Sequence, residues 1–252
     1  LSSSSAASDV YKRQLLRYMR KKILFLAGMM ACCSLAGAQE ISKTWVADKG
    51  NGTYQNPVLH ADYSDPDVCA AGDDFYMTAS SFNCIPGIPI LHSNDLVNWS
   101  LVNYALPIQE PEEFFDKAQH GKGVWAPAIR FHNGEFYIYW GDPDYGIYMI
   151  KAKDPKGRWS KPVLVKAGKG MIDPTPLWDE DGKVYLVHAY AGSRSGVNSI
   201  VVICELNAEG TEVISDPVMV FDGNDGKNHT VEGPKLYKRN GYYYIFAPAG
   251  GV

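Results

Sequence analysis

The chain has 252 residues, of which 46% are hydrophobic and 21% charged, and this balance is typical of a globular protein with a buried core. Its formal net charge is −4 and no basic run occurs in the body, so nucleic acid and anionic membrane surfaces are excluded as expected partners. The 16 tyrosines and 6 tryptophans favour strands over helices.

The N-terminal segment is interpreted as processing sequence. Met19 begins a positively charged stretch, which is followed by an apolar stretch too short to span a membrane and by a small-residue cleavage site. We therefore predict a signal peptide over 19–38, cleaved near Ala38, and export to the periplasm or the medium. A lipid anchor on a cysteine of this segment is less favoured. Residues 1–18 are interpreted as a non-native or upstream translated segment, and 39–53 as a lead-in.

A proline-marked segment recurs four times from there on. In each case a tyrosine-containing, β-branched or aromatic run follows ten or eleven residues later. The segments are Asp65-Pro66, Trp125-Ala126-Pro127, Asp173-Pro174 and Glu232-Gly233-Pro234, and the tyrosines are Tyr76, Tyr137, Tyr185 and Tyr244. We predict that each proline opens a strand, where its missing N–H harms no ladder. Asn-Gly and Asp-Gly pairs predict tight hairpin turns between the strands.

The spacing of the repeat predicts propeller blades. The prolines are 61, 47 and 60 residues apart, whereas no long helical pattern occurs over 55–252. Ser93–Trp99 and Asp154–Trp159 are predicted turns to outer strands, with each tryptophan covering a blade face. A β-sandwich is disfavoured by the regular spacing. Because the chain ends just after the fourth hairpin begins, we expect 54–252 to be the N-terminal part of a propeller, truncated to about three and a half blades.

Three carboxylates recur with this repeat. Asp65, Asp173 and Glu232 are predicted to occupy equivalent places in the first, third and fourth units, where the second unit has Trp125. Glycoside hydrolysis needs one carboxylate that activates water and one carboxylic acid that protonates the leaving oxygen. Nearby like charges separate the pKa values of such a pair, and an aromatic ring gives a sugar a stacking face.

The assignment of the base stays open at this point. Asp62 and Asp67 are rivals of Asp65, and a period of two places Asp67 on the same strand face as Asp65. Asp before Pro is also a common turn opener, and we read Asp142-Pro143 and Asp154-Pro155 as turns.

The remaining chemistry-bearing residues form no further predicted site. Outside the signal segment the cysteines are Cys69, Cys84 and Cys204, an odd number, so at least one is unpaired and a Cys69–Cys84 bridge stays open. The six histidines show no metal-ligand spacing, and His188 and His229 are interpreted as hydrogen-bonding wall residues.

Together these segments resemble glycoside hydrolase family 43 over about 54–252. The resemblance rests on Asn56-Pro57-Val58-Leu59, Ser64–Val68, Gly72–Phe82, His92–Trp99, Trp125-Ala126-Pro127, Ile172-Asp173-Pro174 and Glu232-Gly233-Pro234. It implies a five-bladed all-β propeller, with Asp65 as general base, Asp173 as the acid that tunes and orients the general acid, and Glu232 as that general acid. Phe82 and Trp125 resemble aromatic walls of the terminal-sugar subsite.

The resemblance also implies an activity. The family inverts configuration in one displacement, which implies a separation of roughly 6.5–9.5 Å between the carboxyl groups of Asp65 and Glu232. No metal ligand is implied and no cofactor is required, although calcium in the central channel is left open. The expected substrates are plant cell-wall oligosaccharides such as arabinoxylan and arabinan, cleaved at terminal α-L-arabinofuranosyl or β-D-xylosyl units.

Alternatives to this activity are an endo-arabinanase, a non-catalytic carbohydrate-binding propeller and a purely structural propeller. The chain has Asn83-Cys84-Ile85 where xylosidases of the family carry a second aromatic residue, so the preferred sugar stays open. On its own, this stretch is expected to fold poorly and to show no turnover.

Overall fold

Four antiparallel β-units make up the part of the chain that the structure describes. The computed structural model describes residues 44–82 and 85–250, and all of the β-units lie in the compact unit that begins at Ala47. The predicted signal segment and Cys84 lie outside the described residues. The first and third units are four-stranded sheets, the second is a four-stranded blade whose sheet is extended by one short strand of the first unit, and the fourth is a hairpin. The prediction of about three and a half all-β blades is therefore confirmed.

The strands follow the chain from the inner to the outer edge of each blade, with one short exception. The first blade contains β1 (Asp67–Ala71), β2 (Asp74–Thr78), β4 (Gly87–Ser93) and β5 (Ser100–Leu106), with β3 (Ser81–Phe82) between β2 and β4 in sequence. The second contains β6 (Gly123–His132), β7 (Glu135–Asp142), β8 (Gly146–Ala152) and β9 (Val163–Ala167). The third contains β10 (Met171–Trp178), β11 (Val184–Tyr190), β12 (Ile200–Leu206) and β13 (Val218–Asp222), and the hairpin is β14 (Lys235–Arg239) with β15 (Tyr242–Phe246).

Helical structure within the described residues is limited to two single turns. They are α1 (Glu112–Phe115) and α2 (Gly192–Ser195). The first strands of neighbouring units pack on one another, because β6 contacts both β1 and β10, and β10 contacts β14. This arrangement brings the starts of the four units together, as the repeat predicted.

Apolar side chains fill the spaces between blades. One core cluster joins the first and second blades and contains Ile88, Ile129, Trp140 and Trp159. A second cluster joins the second and third blades. Trp159 is buried and its indole N–H donates to the carbonyl of Pro155, so the predicted role of this tryptophan is confirmed.

The tight turns follow the sequence prediction. Asn133 and Gly134 between β6 and β7 have φ of 47° and 78°, and Asn240 and Gly241 between β14 and β15 have 52° and 77°. Two consecutive positive φ angles are what a two-residue hairpin turn of this kind requires.

The predicted position of the prolines needs a correction. Pro66 and Pro234 directly precede β1 and β14, but Pro127 and Pro174 lie inside β6 and β10, where the register shifts. A bulge leaves a residue unpaired, so a proline there costs no ladder hydrogen bond. The prediction that every proline opens a strand is therefore wrong for the second and third blades.

The predicted equivalence of the three acids in the repeat also needs a correction. The residue before each proline has a positive φ: 51° at Asp65, 37° at Ala126, 57° at Asp173 and 63° at Gly233. Asp65 and Asp173 therefore hold equivalent positions, whereas Trp125 and Glu232 each lie one residue earlier in their repeats. The side chains of Asp65, Trp125, Asp173 and Glu232 therefore line one cavity although they do not all hold the same position in the repeat.

Asp142 gives the fold a pH dependence. It is fully buried at the end of β7 and accepts hydrogen bonds from the amide of Gln109 (3.3 Å) and the backbone N–H of Asp144 (3.0 Å). Burial raises its pKa to about 6, so between pH 4 and 6 the folded chain binds more protons than the unfolded chain. The contribution of Asp142 to the free energy of unfolding is therefore fully present at low pH and is lost as pH rises through 6.

We expect Asp142→Asn to reduce the decrease in the free energy of unfolding between pH 4 and pH 7. At pH 7 the variant should have a free energy of unfolding higher than that of the parent by on the order of 1–3 kcal/mol. Thermal midpoints at pH 4.5 and pH 7 test this, with the exposed Asp216→Asn as a control. Equal slopes in Asp142→Asn and the parent would contradict the assignment.

Candidate active site

A cavity of about 640 Å³ opens where the starts of the four units meet. All five residues predicted from sequence line it: Asp65, Phe82, Trp125, Asp173 and Glu232. Asp62, Ser64, Thr230, Lys235 and Pro248 are also among its walls. A single cavity thus contains the three predicted carboxyl groups, a fourth from Asp62, and two aromatic rings, contributed by all four units.

Asp65 is held at the entrance to β1 by a hydrogen bond from a second residue. The hydroxyl of Ser80 donates to Oδ2 of Asp65 at 2.6 Å, and the same hydroxyl accepts the backbone N–H of Ala126 at 2.8 Å. Asp65 itself is exposed to the cavity. Its orientation is therefore fixed by the junction of the first and second blades while one oxygen stays accessible. Sequence reasoning gave Ser80 no role, although it lies within the Gly72–Phe82 segment.

Asp173 lies deeper, at the bulge of β10. It is 6% exposed, and Oδ2 accepts the backbone N–H of Gly233 at 2.7 Å. Burial raises its pKa to about 7, the charges of Glu232 and Asp65 act in the same direction, and the Gly233 N–H and Lys235 oppose them. Because Gly233 follows Glu232, this hydrogen bond ties Asp173 to the backbone that carries Glu232.

Glu232 precedes β14 and is half-buried. Its backbone N–H donates to the carbonyl of Pro248 at 3.3 Å, which joins it to the segment after β15. Burial raises the pKa of the Glu232 carboxyl, and the charge of Asp65 raises it further. Both effects shift Glu232 toward its protonated form relative to an ordinary glutamate, which is the direction that a proton donor requires.

The structure narrows the choice of general base among Asp62, Asp65 and Asp67. Asp67 is buried, accepts the backbone N–H of Ile129 at 2.8 Å, and pairs with Arg130 (2.5 Å) and Lys235 (3.5 Å). Its oxygens are thus committed to linking the first, second and fourth units, and it does not line the cavity. Asp62 does line the cavity and is exposed.

Asp67→Ala is expected to destabilise the fold by about 3–5 kcal/mol, because it leaves Arg130 and Lys235 without their buried counter-charge. Denaturant unfolding measures this, with the exposed Asp73→Ala as the matched control. A decrease in the free energy of unfolding below about 1 kcal/mol would mean that the ion pairs of Asp67 with Arg130 and Lys235 contribute little to stability.

The aromatic walls are brought together by the short strand β3. Although β3 lies between β2 and β4 of the first blade in sequence, it pairs with β6, so Phe82 lies opposite Gly123 and close to Trp125. The two rings meet edge to face with centroids 6.3 Å apart. The Trp125 indole N–H donates to the carbonyl of Gly121 at 3.1 Å. Such rings offer an apolar face to the C–H surface of a sugar.

Other predicted groups take structural places. Cys69 and Cys204 are free, buried thiols, and burial raises the pKa of Cys69 to about 12. His188 is buried, hydrogen-bonded to the carbonyl of Ala189, and kept neutral because burial lowers its pKa to about 4. Within residues 44–82 and 85–250, no group of three or more His, Cys, Asp or Glu side chains is arranged to hold a metal. The same ranges contain no helix long and apolar enough to cross a membrane.

Comparison with known proteins decides the family. The sequence model of glycosyl hydrolases family 43 matches residues 54–252. The chain belongs to glycosyl hydrolase family 43. This membership confirms the predicted resemblance, and the family 43 propeller explains the four converging units.

Relatives and solved structures agree with this family 43 assignment. A putative beta-xylosidase of Xylanibacter ruminicola is 36% identical over 211 residues, which is 84% of this chain and 38% of the relative. A non-reducing end alpha-L-arabinofuranosidase of Bacteroides ovatus is 34% identical over 79% of this chain and 36% of its own length. The crystal structure of a GH43_12 protein from a capybara gut metagenome is 33% identical, with a TM-score of 0.66 over 77% of this chain and 38% of that one. The family 43 chain therefore spans somewhat over a third of the length of these relatives.

Proposed function

We propose that the protein containing this chain is an exo-acting glycoside hydrolase that removes terminal α-L-arabinofuranosyl or β-D-xylosyl units by an inverting mechanism. The observation that carries the proposal is the shared cavity, in which two of the three carboxyl groups predicted from the sequence, Asp173 and Glu232, have raised pKa values beside two aromatic rings. The names of the Xylanibacter and Bacteroides relatives support the choice of sugars and of a terminal point of attack.

Asp65 is the general base in this proposal. Its carboxylate removes a proton from a water molecule, and the water oxygen forms a bond to the anomeric carbon of the terminal sugar. The hydrogen bond from Ser80 orients Asp65, and the exposed side of the carboxylate faces the cavity where the water would lie.

Glu232 is the general acid. It gives its proton to the glycosidic oxygen as the bond between that oxygen and the anomeric carbon breaks, so both bonds change in one displacement. Asp173 keeps Glu232 in place through the hydrogen bond that its Oδ2 accepts from the N–H of Gly233. Burial and the negative charge of Asp65 favour the protonated form of Glu232. The expected Asp65–Glu232 carboxyl separation of roughly 6.5–9.5 Å stays a prediction.

Plant cell-wall oligosaccharides such as arabinoxylan and arabinan are the proposed substrates. The aromatic walls Phe82 and Trp125 would hold the terminal sugar. Export after cleavage near Ala38 would place the enzyme where such oligosaccharides occur, and N-terminal sequencing of the exported protein tests that part of the proposal.

The activity is tested with the protein as its gene encodes it, assayed on an aryl α-L-arabinofuranoside and an aryl β-D-xyloside side by side. Turnover of either would support the exo-glycosidase proposal and identify the sugar. A folded protein that turns over neither, yet binds arabino- or xylo-oligosaccharides, would contradict it in favour of a binding propeller. Cleavage of internal arabinan bonds alone would favour an endo-acting enzyme.

A further inference from the structure

Trp125 is touched from outside the cavity by a residue that no motif indicated. The guanidinium of Arg194 stands over the indole ring, with Cζ 5.7 Å from the ring centroid. Trp125 lines the cavity and Arg194 does not. Arg194 can therefore influence a bound sugar through the indole, and the contact is of the cation–π type.

The guanidinium is itself held by the second blade. Nε of Arg194 donates to Oδ1 of Asp144 at 3.0 Å, and Nη1 donates to the hydroxyl of Ser193 at 3.0 Å. The other oxygen of Asp144 lies 3.6 Å from Nζ of Lys122. The side chains of Arg194 and Asp144 are about three-quarters buried, so solvent screens their ion pair less than an exposed one.

Close backbone contacts also hold the turn that carries Arg194. The turn α2 packs against Gly170, where an added Cβ would lie 2.6 Å from Cβ of Ser195. The carbonyl of Gly170 accepts the N–H of Ala191 at 2.8 Å, and the N–H of Gly170 donates to Pro143 at 2.7 Å. Pro143 precedes Asp144, so one continuous set of contacts connects both members of the ion pair.

We propose that Arg194 is a positioning residue for the sugar-binding face of Trp125, with Asp144 fixing the guanidinium. The third and second blades thereby set the angle of an indole that β6 carries. This inference rests on the proposed function, in which Trp125 stacks on the terminal sugar. Trp125 also packs against the cluster of Ile172, Ala189 and Ala191 and donates its indole N–H to Gly121, so Arg194 acts on a ring that these contacts already hold on its other sides.

Steady-state kinetics of the protein as its gene encodes it test the proposal. Arg194→Ala is expected to raise KM for the aryl glycoside about five-fold with kcat changed less than two-fold, and Arg194→Lys to restore most of the loss, since a cation over an indole contributes about 1 kcal/mol. In a Trp125→Ala background, Arg194→Ala should change kcat/KM less than two-fold. Lys183→Ala, which breaks a surface ion pair with Glu205 elsewhere on the third blade, is the control.

An equal loss from Arg194→Ala in both backgrounds would overturn the proposal, because Arg194 would then act independently of Trp125. Unchanged KM in the single variant would overturn it as well.

A second measurement does not depend on turnover. The quenching of Trp125 fluorescence by acrylamide is obtained by subtracting the Trp125→Phe signal, and Arg194→Ala should increase it. If the parent protein hydrolyses neither aryl glycoside, the proposed function fails and this measurement alone decides the inference. Unchanged quenching in Arg194→Ala would overturn it.

Discussion

Glu232→Gln is expected to lower kcat on arabino- or xylo-oligosaccharides by about 10²–10⁴-fold while leaving sugar binding intact. Glutamine preserves the shape of the side chain but carries no transferable proton, so the leaving alkoxide departs unprotonated. Comparison of two leaving groups isolates this effect. An aryl glycoside whose phenol is acidic needs little protonation, and its turnover should therefore fall much less than that of the oligosaccharide.

The pH profile gives the same prediction a second readout. The raised pKa of Glu232 means that the active, protonated form persists above the ordinary range of a glutamate and is lost as pH rises through that pKa. The alkaline limb of kcat/KM should therefore disappear in Glu232→Gln. Equal losses on both leaving groups, with the alkaline limb retained, would show that Glu232 is not the proton donor.

Asp65→Asn is expected to lower turnover by about 10²–10⁴-fold on the oligosaccharide and on the aryl glycoside alike. Activation of water is needed whatever group leaves, so a good leaving group gives no relief. The measurement is kcat on the same two substrates, which separates a lost base from a lost acid. Ser80 and Ala126 keep their hydrogen bond in this variant, so the fold should be retained.

Asp62→Asn is the matched control for Asp65→Asn, because Asp62 lines the same cavity and is also exposed. We expect its kcat to stay within a few-fold of the parent. If Asp62→Asn were inactive and Asp65→Asn active, the base would be Asp62 and the assignment made from the sequence repeat would be wrong.

The architecture followed from local signals in the sequence. Asn133-Gly134 and Asn240-Gly241 predict hairpins because both residues of each pair readily adopt the positive φ angles that a two-residue hairpin turn requires. The spacing of such hairpins was enough to predict blades, and the shared position before proline was enough to bring Asp65 and Asp173 into one cavity.

The details that failed depend on contacts between blades. The bulges in β6 and β10 place Pro127 and Pro174 inside strands, and bulge positions are set by pairing with β7 and β11. Alternation along a strand put Asp65 and Asp67 on one face. The positive φ at Asp65 breaks that alternation, and Arg130 and Lys235, distant in sequence, bind Asp67.

Ser80 and Arg194 were missed for a related reason. Ser80 lies within the Gly72–Phe82 segment, but that segment does not show that its hydroxyl joins Asp65 to Ala126 of the second blade. Arg194 lies in none of the quoted segments and is brought to Trp125 by the packing of the third blade against the second.

The central claim is that Asp65 and Glu232 act together in one displacement. The most direct test is the anomeric configuration of the first sugar released, followed by proton NMR before mutarotation, using the protein as its gene encodes it. We predict that the sugar appears with the configuration opposite to that of the substrate. Release with retained configuration would contradict the account, because it would require a covalent intermediate and a carboxylate acting as nucleophile.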